Sequence, residues 1–206
     1  MLINMTKIKI AGVSLPEAKK AAILIHGRGA SAESILSLAQ YLSLDDYALL
    51  APEAENGTWY PYSFMAPDLA NQSALTKSLE TIRGVWDQVI ESGVFPENVV
   101  FIGFSQGACL SLEFAAQNAQ KLGGVIAFTG GLIGEKILEE KYSGDFKDTP
   151  VFIGSSERDV HVPLSRIKES ETLLSRMGAR VKLLIFKDSN HTIRQEEIEW
   201  VNGNIL

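Results

Sequence analysis

The sequence predicts an α/β fold with a mostly parallel central sheet. Short, fully apolar, β-rich runs alternate with amphipathic helical segments from one end of the chain to the other. Runs that are apolar at every position are typical of parallel strands covered by helices on both faces. No linker, repeat or low-complexity segment interrupts the alternation, so we expect a single domain over residues 1–206.

The expected strands are short apolar runs that end near glycine, proline or polar residues. They lie at residues 21–27, 47–52, 98–103, 124–131, 150–156 and 181–186. A further strand is expected near residues 6–10, at the edge of the sheet. The polar segment at residues 132–149 separates two of these strands and has room for a short helix.

Helices are expected between the strands wherever apolar residues recur at helical spacing. The first would place Ile35, Leu38, Ala39 and Leu42 on one face. A longer helix would place Leu75, Leu79, Ile82, Trp86 and Val89 on one face and end near Gly93. Pro163 opens another helix and Gly178 closes it. A final short helix is expected at residues 193–203.

The composition limits the functional classes. Hydrophobic residues make up 46% and charged residues 21%, as in a globular protein, and the net charge of −6 argues against nucleic acid as a partner. The single cysteine excludes an internal disulfide, which favours a reducing compartment. No apolar run is long enough to span a bilayer, and the first residues lack the pattern of a signal peptide, so we expect a cytoplasmic protein.

The stretch Gly103-Phe104-Ser105-Gln106-Gly107 carries the strongest chemical signal. It follows an expected strand and precedes an expected helix, the setting in which a serine on a tight turn serves as a nucleophile. The glycines allow close backbone approach, and a helix N-terminus favours the negative charge that develops in acyl transfer. The alternatives are a glycine-rich turn without chemistry and a phosphate-binding loop.

A nucleophilic serine needs a base, and the base needs an orienting acid. In this setting the chain order is serine, acid, histidine. Of the three histidines, His191 follows the last strand and is therefore the expected base. Asp159 follows an earlier strand and is the favoured acid, with Glu157 and Asp188 as alternatives.

The tetrahedral intermediate of acyl transfer needs backbone donors directed at its oxygen. One donor is expected from Gln106, directly after the serine, and the other from Arg28 in the loop after an early strand. His26, in the same loop, is expected to bond loop backbone.

Apolar residues in three loops are candidates for the walls of a substrate pocket, because such pockets are mostly apolar and aromatic. The candidates are Trp59, Tyr60, Phe64, Met65, Leu132, Ile133 and Val160. Alternatively, the aromatic residues anchor their loop to the core and line no pocket. We expect His161 to lie behind the site or to pack within its loop, Cys109 to be a small core residue, and no metal site to form.

With these motifs assembled, the chain resembles the phospholipase/carboxylesterase family of α/β-hydrolases, which includes the acyl-protein thioesterases. The matching stretches are "LIHGRGAS", "WYPYSF", "GFSQGACLSLEFA", "TGGL", "RDVHVPL" and "NHTI". The resemblance implies an α/β-hydrolase fold without a large lid, a Ser105-Asp159-His191 triad, and oxyanion donors at Arg28 and Gln106. Thioesterases of the family often have leucine where this chain has Arg28, whose charge could favour an anionic substrate or simply be solvated or paired.

The expected function is hydrolysis of small or short-acyl carboxylic esters through an acyl-enzyme intermediate, without a cofactor. An acyl thioesterase or lysophospholipase using the same site is the nearest alternative. A different class of function is a small-molecule binding module that keeps the fold and has lost turnover. The expected partner is a small ester, and the resemblance also allows a homodimer.

Overall fold

The computed structural model describes residues 8–206 and contains a seven-stranded sheet. The strands are β1 (Ile8–Gly12), β2 (Lys20–Ile25), β3 (Tyr47–Pro52), β4 (Val99–Phe104), β5 (Gly124–Phe128), β6 (Pro150–Ser156) and β7 (Arg180–Phe186). Their spatial order is β1-β3-β2-β4-β5-β6-β7. Only β1 runs antiparallel to its neighbour among the described strands. The predicted α/β fold with a mostly parallel sheet is confirmed.

Helices cover both faces of the sheet. They are α1 (Ala32–Leu36), α2 (Asp68–Glu91), α3 (Gln106–Gln117), α4 (Leu164–Arg176) and α5 (Gln195–Asn204). Helices α2, α3 and α4 pack on one face, and α1 and α5 pack on the other. Because both faces are covered, alternate residues of the central strands enter opposite cores, as Ile23 and Leu24 of β2 do. This burial explains why those strands are apolar at every position.

Several elements differ in extent from the sequence prediction. The strand expected at residues 124–131 ends at Phe128. The edge strand is described from Ile8, and residues 6 and 7 lie outside the described part of the chain. The first helix is a short α-turn continued by a 3₁₀ segment, Ser37–Tyr41. There the Ser34 and Ser37 hydroxyls donate to carbonyls three residues earlier and compete with regular helical bonding. The segment at residues 132–149 holds one 3₁₀ turn, Glu139–Lys141.

The topology brings several loops to one edge of the sheet. Strands β2 to β7 are parallel, so the segments that follow them all open at the carboxyl edge. The turn at Ser105, the loop after β6 and the loop after β7 therefore meet there, together with the loops after β2 and β3. Open α/β sheets bind ligands at this edge.

A buried glutamate joins α5 to the sheet. Glu197 lies against Gly154 of β6, and a Cβ atom added to that glycine would overlap the Glu197 carboxylate. One carboxylate oxygen accepts the Arg194 N–H at 2.7 Å, and the other has no hydrogen-bond partner among residues 8–206. Burial raises the pKa of Glu197 to about 7, which the Arg194 N–H and guanidinium only partly offset.

This raised pKa makes stability depend on pH. The folded state holds the Glu197 proton more tightly than the unfolded chain does. Protonated Glu197 therefore adds to the free energy of unfolding in acid, and this contribution is lost as pH rises through about 7. We expect the wild type to lose on the order of 2–3 kcal/mol between about pH 5 and about pH 8. Glu197→Gln, which keeps an acceptor for Arg194, should remove most of that loss. Thermal unfolding of both proteins at the two pH values measures it.

The exposed neighbour Glu196 provides the matched control. Glu196→Gln changes the net charge equally but should leave most of the pH dependence of the wild type intact, because Glu196 contributes least to the raised pKa of Glu197. If the free energy of unfolding depends on pH equally in the Glu197→Gln variant and in the wild type, Glu197 is not the source of the pH dependence.

Candidate active site

Ser105 lies on a sharp turn between β4 and α3. Its backbone has φ 54° and ψ −116°, a conformation that a residue with a side chain adopts only when its surroundings enforce it. The Ser105 N–H donates to the Phe128 carbonyl of β5 at 2.9 Å, which anchors the turn to the neighbouring strand. The hydroxyl consequently projects from the turn into an open cavity.

The two glycines of the motif allow this turn to form. A Cβ atom on Gly103 would overlap the Gly107 carbonyl, and one on Gly107 would overlap the Ile25 carbonyl at the end of β2. The first turn of α3 therefore lies directly against the backbone of two strands. Any larger side chain would push the helix, and Ser105 with it, out of place.

The structure brings Ser105, His191 and Asp159 into one hydrogen-bonded chain. The Ser105 Oγ lies 2.8 Å from His191 Nε2, and His191 Nδ1 lies 2.7 Å from Asp159 Oδ2. The Asp159 side chain is fully buried, whereas that of His191 is 24% exposed. With the Nδ1 proton directed at the carboxylate, Nε2 is free to accept the serine proton.

Asp159 is held in place by backbone donors. Its second oxygen accepts the N–H groups of His161 at 2.7 Å and Val162 at 3.1 Å. Three hydrogen bonds to one buried carboxylate fix its orientation. The backbone N–H groups of the short turn after Asp159 thus hold its carboxylate in place.

The competing acids are engaged elsewhere. Asp188 Oδ1 accepts from Arg194 at 2.6 Å and from the Ser156 hydroxyl at 2.8 Å. The hydrogen bond from the Arg194 guanidinium holds the pKa of Asp188 down at about 2. Glu157 is exposed to solvent. Asp159 is the carboxylate that contacts His191.

Two backbone N–H groups near Ser105 are unused. Gln106 is the first residue of α3, so its N–H has no acceptor within the helix, and Arg28 lies in the turn between Gly27 and Gly29. Neither N–H donates to another group within residues 8–206. Both are available to an oxygen atom bound beside Ser105.

The side chains of the same two residues hold the loop after β3. Gln106 accepts the Trp59 N–H at 2.9 Å and donates to the Tyr60 carbonyl at 2.8 Å. Arg28 donates to the carbonyls of Pro61 at 2.8 Å and Tyr62 at 2.7 Å. The loop over residues 59–62 is therefore attached by side chains to the two turns that carry the free N–H groups.

His26 bonds loop backbone, as expected from the sequence. It is fully buried, its Nε2 accepts the Ala54 N–H at 3.1 Å, and its carbonyl accepts the Trp59 indole N–H at 2.9 Å. Its ring sits 5.1 Å from that of Trp59, measured between centroids. His26 therefore supports the loop from beneath.

A cavity of about 570 Å³ opens beside Ser105 and His191. Its other lining residues are Arg28, Tyr60, Pro61, Tyr62, Ser63, Phe64, Gln106, Cys109, Val160, His161 and Val162. Of the predicted wall residues, the cavity is lined by Tyr60, Phe64 and Val160.

Four predicted wall residues do not line this cavity. Trp59 is buried beneath the loop, where its indole bonds the His26 carbonyl. Met65 borders a separate groove beside α4. Leu132 and Ile133 are buried in the core because their N–H groups are bound by Ser170 and by the buried Glu113. The prediction was wrong for these four, since the direction in which each loop turns depends on distant partners.

His161 was not predicted to line the cavity, yet it is exposed there, with its ring edge-on to that of His191 at 5.0 Å between centroids. The only signal in the sequence was its closeness to Asp159. Cys109 also borders the cavity from its base, but it is buried and burial raises its pKa to about 12. A thiol with that pKa is not ionised near neutral pH and is no rival to Ser105. Within residues 8–206, no cluster of three or more His, Cys, Asp or Glu side chains could hold a metal ion.

A family model described as phospholipase/carboxylesterase matches residues 9–205. The chain belongs to the phospholipase/carboxylesterase family. It is 31% identical over 175 residues to acyl-protein thioesterase 1 of Kluyveromyces lactis, with 76% of each chain covered. It is 30% identical over 179 residues to acyl-protein thioesterase 1 of Saccharomyces cerevisiae, with 78% of each covered.

A crystal structure of a phospholipase/carboxylesterase from Dyadobacter fermentans has a TM-score of 0.95 to this chain and 48% sequence identity, and the match covers 97% of this chain and 95% of the other. The expected α/β-hydrolase fold is therefore confirmed, and this family member is an enzyme of the esterase and thioesterase class of hydrolases. Across the described residues, none of the helices has the length and apolar character needed to cross a membrane.

The packing of the turn makes a direct prediction about Gly107. Gly107→Ala should destabilise the fold by about 3 kcal/mol or more, because its Cβ would overlap strand backbone that cannot move away. Ester hydrolysis by the folded fraction should fall as well, since Ser105 is displaced. Chemical denaturation and activity of the purified variant measure both effects.

Gly203→Ala is the matched control. Gly203 is exposed in α5, and a Cβ atom there meets nothing. This change should raise the helix propensity and stabilise the protein by about 0.5 kcal/mol, with unchanged activity. If Gly107→Ala behaves like Gly203→Ala, the turn is not constrained as described.

Proposed function

We propose that this protein is a serine carboxylesterase that cleaves small, short-acyl esters through a covalent acyl-enzyme intermediate. The observation that carries the proposal is the hydrogen-bonded chain from Ser105 through His191 to the buried Asp159, at 2.8 and 2.7 Å. A serine hydroxyl becomes a nucleophile when an oriented base takes its proton. The open cavity beside Ser105 supplies room for the ester.

In the acylation step, Ser105 Oγ attacks the ester carbonyl carbon as His191 Nε2 takes the hydroxyl proton. The carbonyl oxygen becomes an oxyanion and accepts the N–H groups of Arg28 and Gln106. The C–O bond to the alcohol then breaks, and His191 gives its proton to the departing alkoxide. The acyl group remains on Ser105 as an ester.

In the deacylation step, water takes the place of the alcohol. His191 removes a proton from the water as its oxygen attacks the acyl carbon, and the same two N–H groups stabilise the second oxyanion. Collapse of that intermediate breaks the bond to Ser105, which recovers its proton from His191. The carboxylic acid then leaves the cavity.

Asp159 supports both steps as a fixed negative charge. It orients the imidazole and stabilises the imidazolium that forms in each transition state. Because the carboxylate is buried and bonded by two backbone N–H groups, it is already in place before the reaction and needs no reorganisation. The N-terminus of α3 adds its positive end next to the reacting carbon.

The openness of the cavity to solvent favours small substrates. Its volume of about 570 Å³ is usual for a small-molecule site, and Tyr60, Phe64 and Val162 are among the residues that wall it. A long acyl chain would extend past these walls into water, where its methylenes would contribute no binding energy. Thioester cleavage is the second candidate function, favoured by the similarity to two yeast proteins named acyl-protein thioesterase 1.

The hydrolysis of p-nitrophenyl acetate, butyrate, octanoate and palmitate tests the proposal. We expect kcat/KM to be highest for acetate or butyrate and to gain nothing from there to palmitate, because the added methylenes are not buried. A rise toward palmitate would contradict the short-acyl preference and favour a long-chain thioesterase or lysophospholipase.

Three variants identify the residues that act. Ser105→Ala should lose at least about 10⁴-fold in kcat, and Asp159→Asn on the order of 10³- to 10⁴-fold, because the imidazole loses its orientation and its charge partner. Glu157→Gln, the matched control at an exposed acid in the same loop, should stay within about two-fold of the wild type. A Ser105→Ala variant that retains esterase activity would contradict the proposed mechanism.

A further inference from the structure

The wall of the cavity carries one unbalanced positive charge. Among the described residues that line it, Arg28 is the one with a permanent charge and none is an aspartate or glutamate, and Asp159 lies behind His191. Within residues 8–206, Arg28 forms no ion pair. This is unexpected in a chain whose net charge is −6.

The guanidinium is also fixed in position. Its two terminal nitrogens donate to the carbonyls of Pro61 and Tyr62 at 2.8 and 2.7 Å. Those carbonyls are neutral, so they orient the group without cancelling its charge. Two of the five N–H donors are used in this way, and the others remain free for a ligand. A cation that is held in one orientation before binding loses little conformational entropy when it binds an anion.

Two walls of the cavity can be assigned to the two halves of an ester. His191 must reach the alcohol oxygen, and His161 and Val160 lie on the side of His191, so this wall faces the alcohol. Gln106 and Arg28 bind the loop over residues 59–62, so that loop forms the wall beside the oxyanion and the acyl group. The Arg28 charge therefore faces the acyl half.

We propose that Arg28 is a specificity-determining residue that gives this enzyme a preference for esters with a carboxylate on the acyl group, such as monoesters of short dicarboxylic acids. The inference rests on the proposed esterase function and names its substrate class. The free N–H groups of the guanidinium bind the distant carboxylate while Ser105 attacks the ester carbonyl. A charge-assisted carboxylate–guanidinium contact, even at an exposed site, distinguishes substrates that otherwise match in shape.

A pair of substrates of matched length tests the proposal. Monoethyl glutarate and ethyl valerate differ in a terminal carboxylate against a methyl group, and acid release at constant pH measures both. We expect kcat/KM to be at least about five-fold higher for monoethyl glutarate at low ionic strength. The advantage should shrink as salt is added, since the interaction is between charges near solvent.

Variants separate the charge of Arg28 from its attachment to the loop. Arg28→Gln should reduce the preference to about one or below, and Arg28→Lys should retain part of it. Arg180→Gln is the matched control, because it removes the same charge from an exposed arginine at the start of β7, the end of the strand away from the site. It should leave both rates and their ratio unchanged.

Each other outcome overturns the proposal in a recognisable way. If Arg28→Gln slows both substrates equally, the side chain only fastens the loop. If 4-acetoxybutyrate is favoured over butyl acetate while monoethyl glutarate has no advantage, the carboxylate is recognised on the alcohol half. If neutral esters are hydrolysed without any charge preference, this inference fails and the esterase proposal stands. If no ester at all is hydrolysed, the proposed function fails first.

Discussion

The site depends on the contact between the backbone of α3 and the ends of the strands beneath it. Because Gly103 and Gly107 lack side chains, the first turn of α3 packs directly on β2 and β4, and Ser105 is forced to a φ of 54°. That one constraint exposes the hydroxyl, leaves the Gln106 N–H without an acceptor, and directs the N-terminus of the helix at the same point. The other parts of the site are arranged around a nucleophile whose position the backbone fixes.

The same constraint extends to the substrate cavity. Gln106 and Arg28 offer their backbone N–H groups on one side and hold the loop over residues 59–62 with their side chains on the other. His26 supports that loop from below. The proposed oxyanion site and the proposed acyl wall are thus one connected unit. A change in the loop would therefore shift the N–H groups beside the reacting carbon.

The sequence predicted those features that depend on local pattern and chain order. Alternating apolar runs identified the parallel sheet, and the order of Ser105, Asp159 and His191 along the chain identified the residues that the structure brings together. The cavity walls were harder to predict. Leu132 and Ile133 point into the core because Ser170 and Glu113 bind their backbone, and nothing near them in the sequence indicates those distant partners.

Labelling with a fluorophosphonate probe, followed by peptide mapping with mass spectrometry, tests most directly whether Ser105 is an activated nucleophile. We expect a single adduct, located on Ser105 and formed far more slowly when His191 is replaced by alanine. Folded protein that acquires no adduct, or an adduct on another residue, would show that Ser105 is not activated in this way. The binding-module interpretation would then explain the fold better.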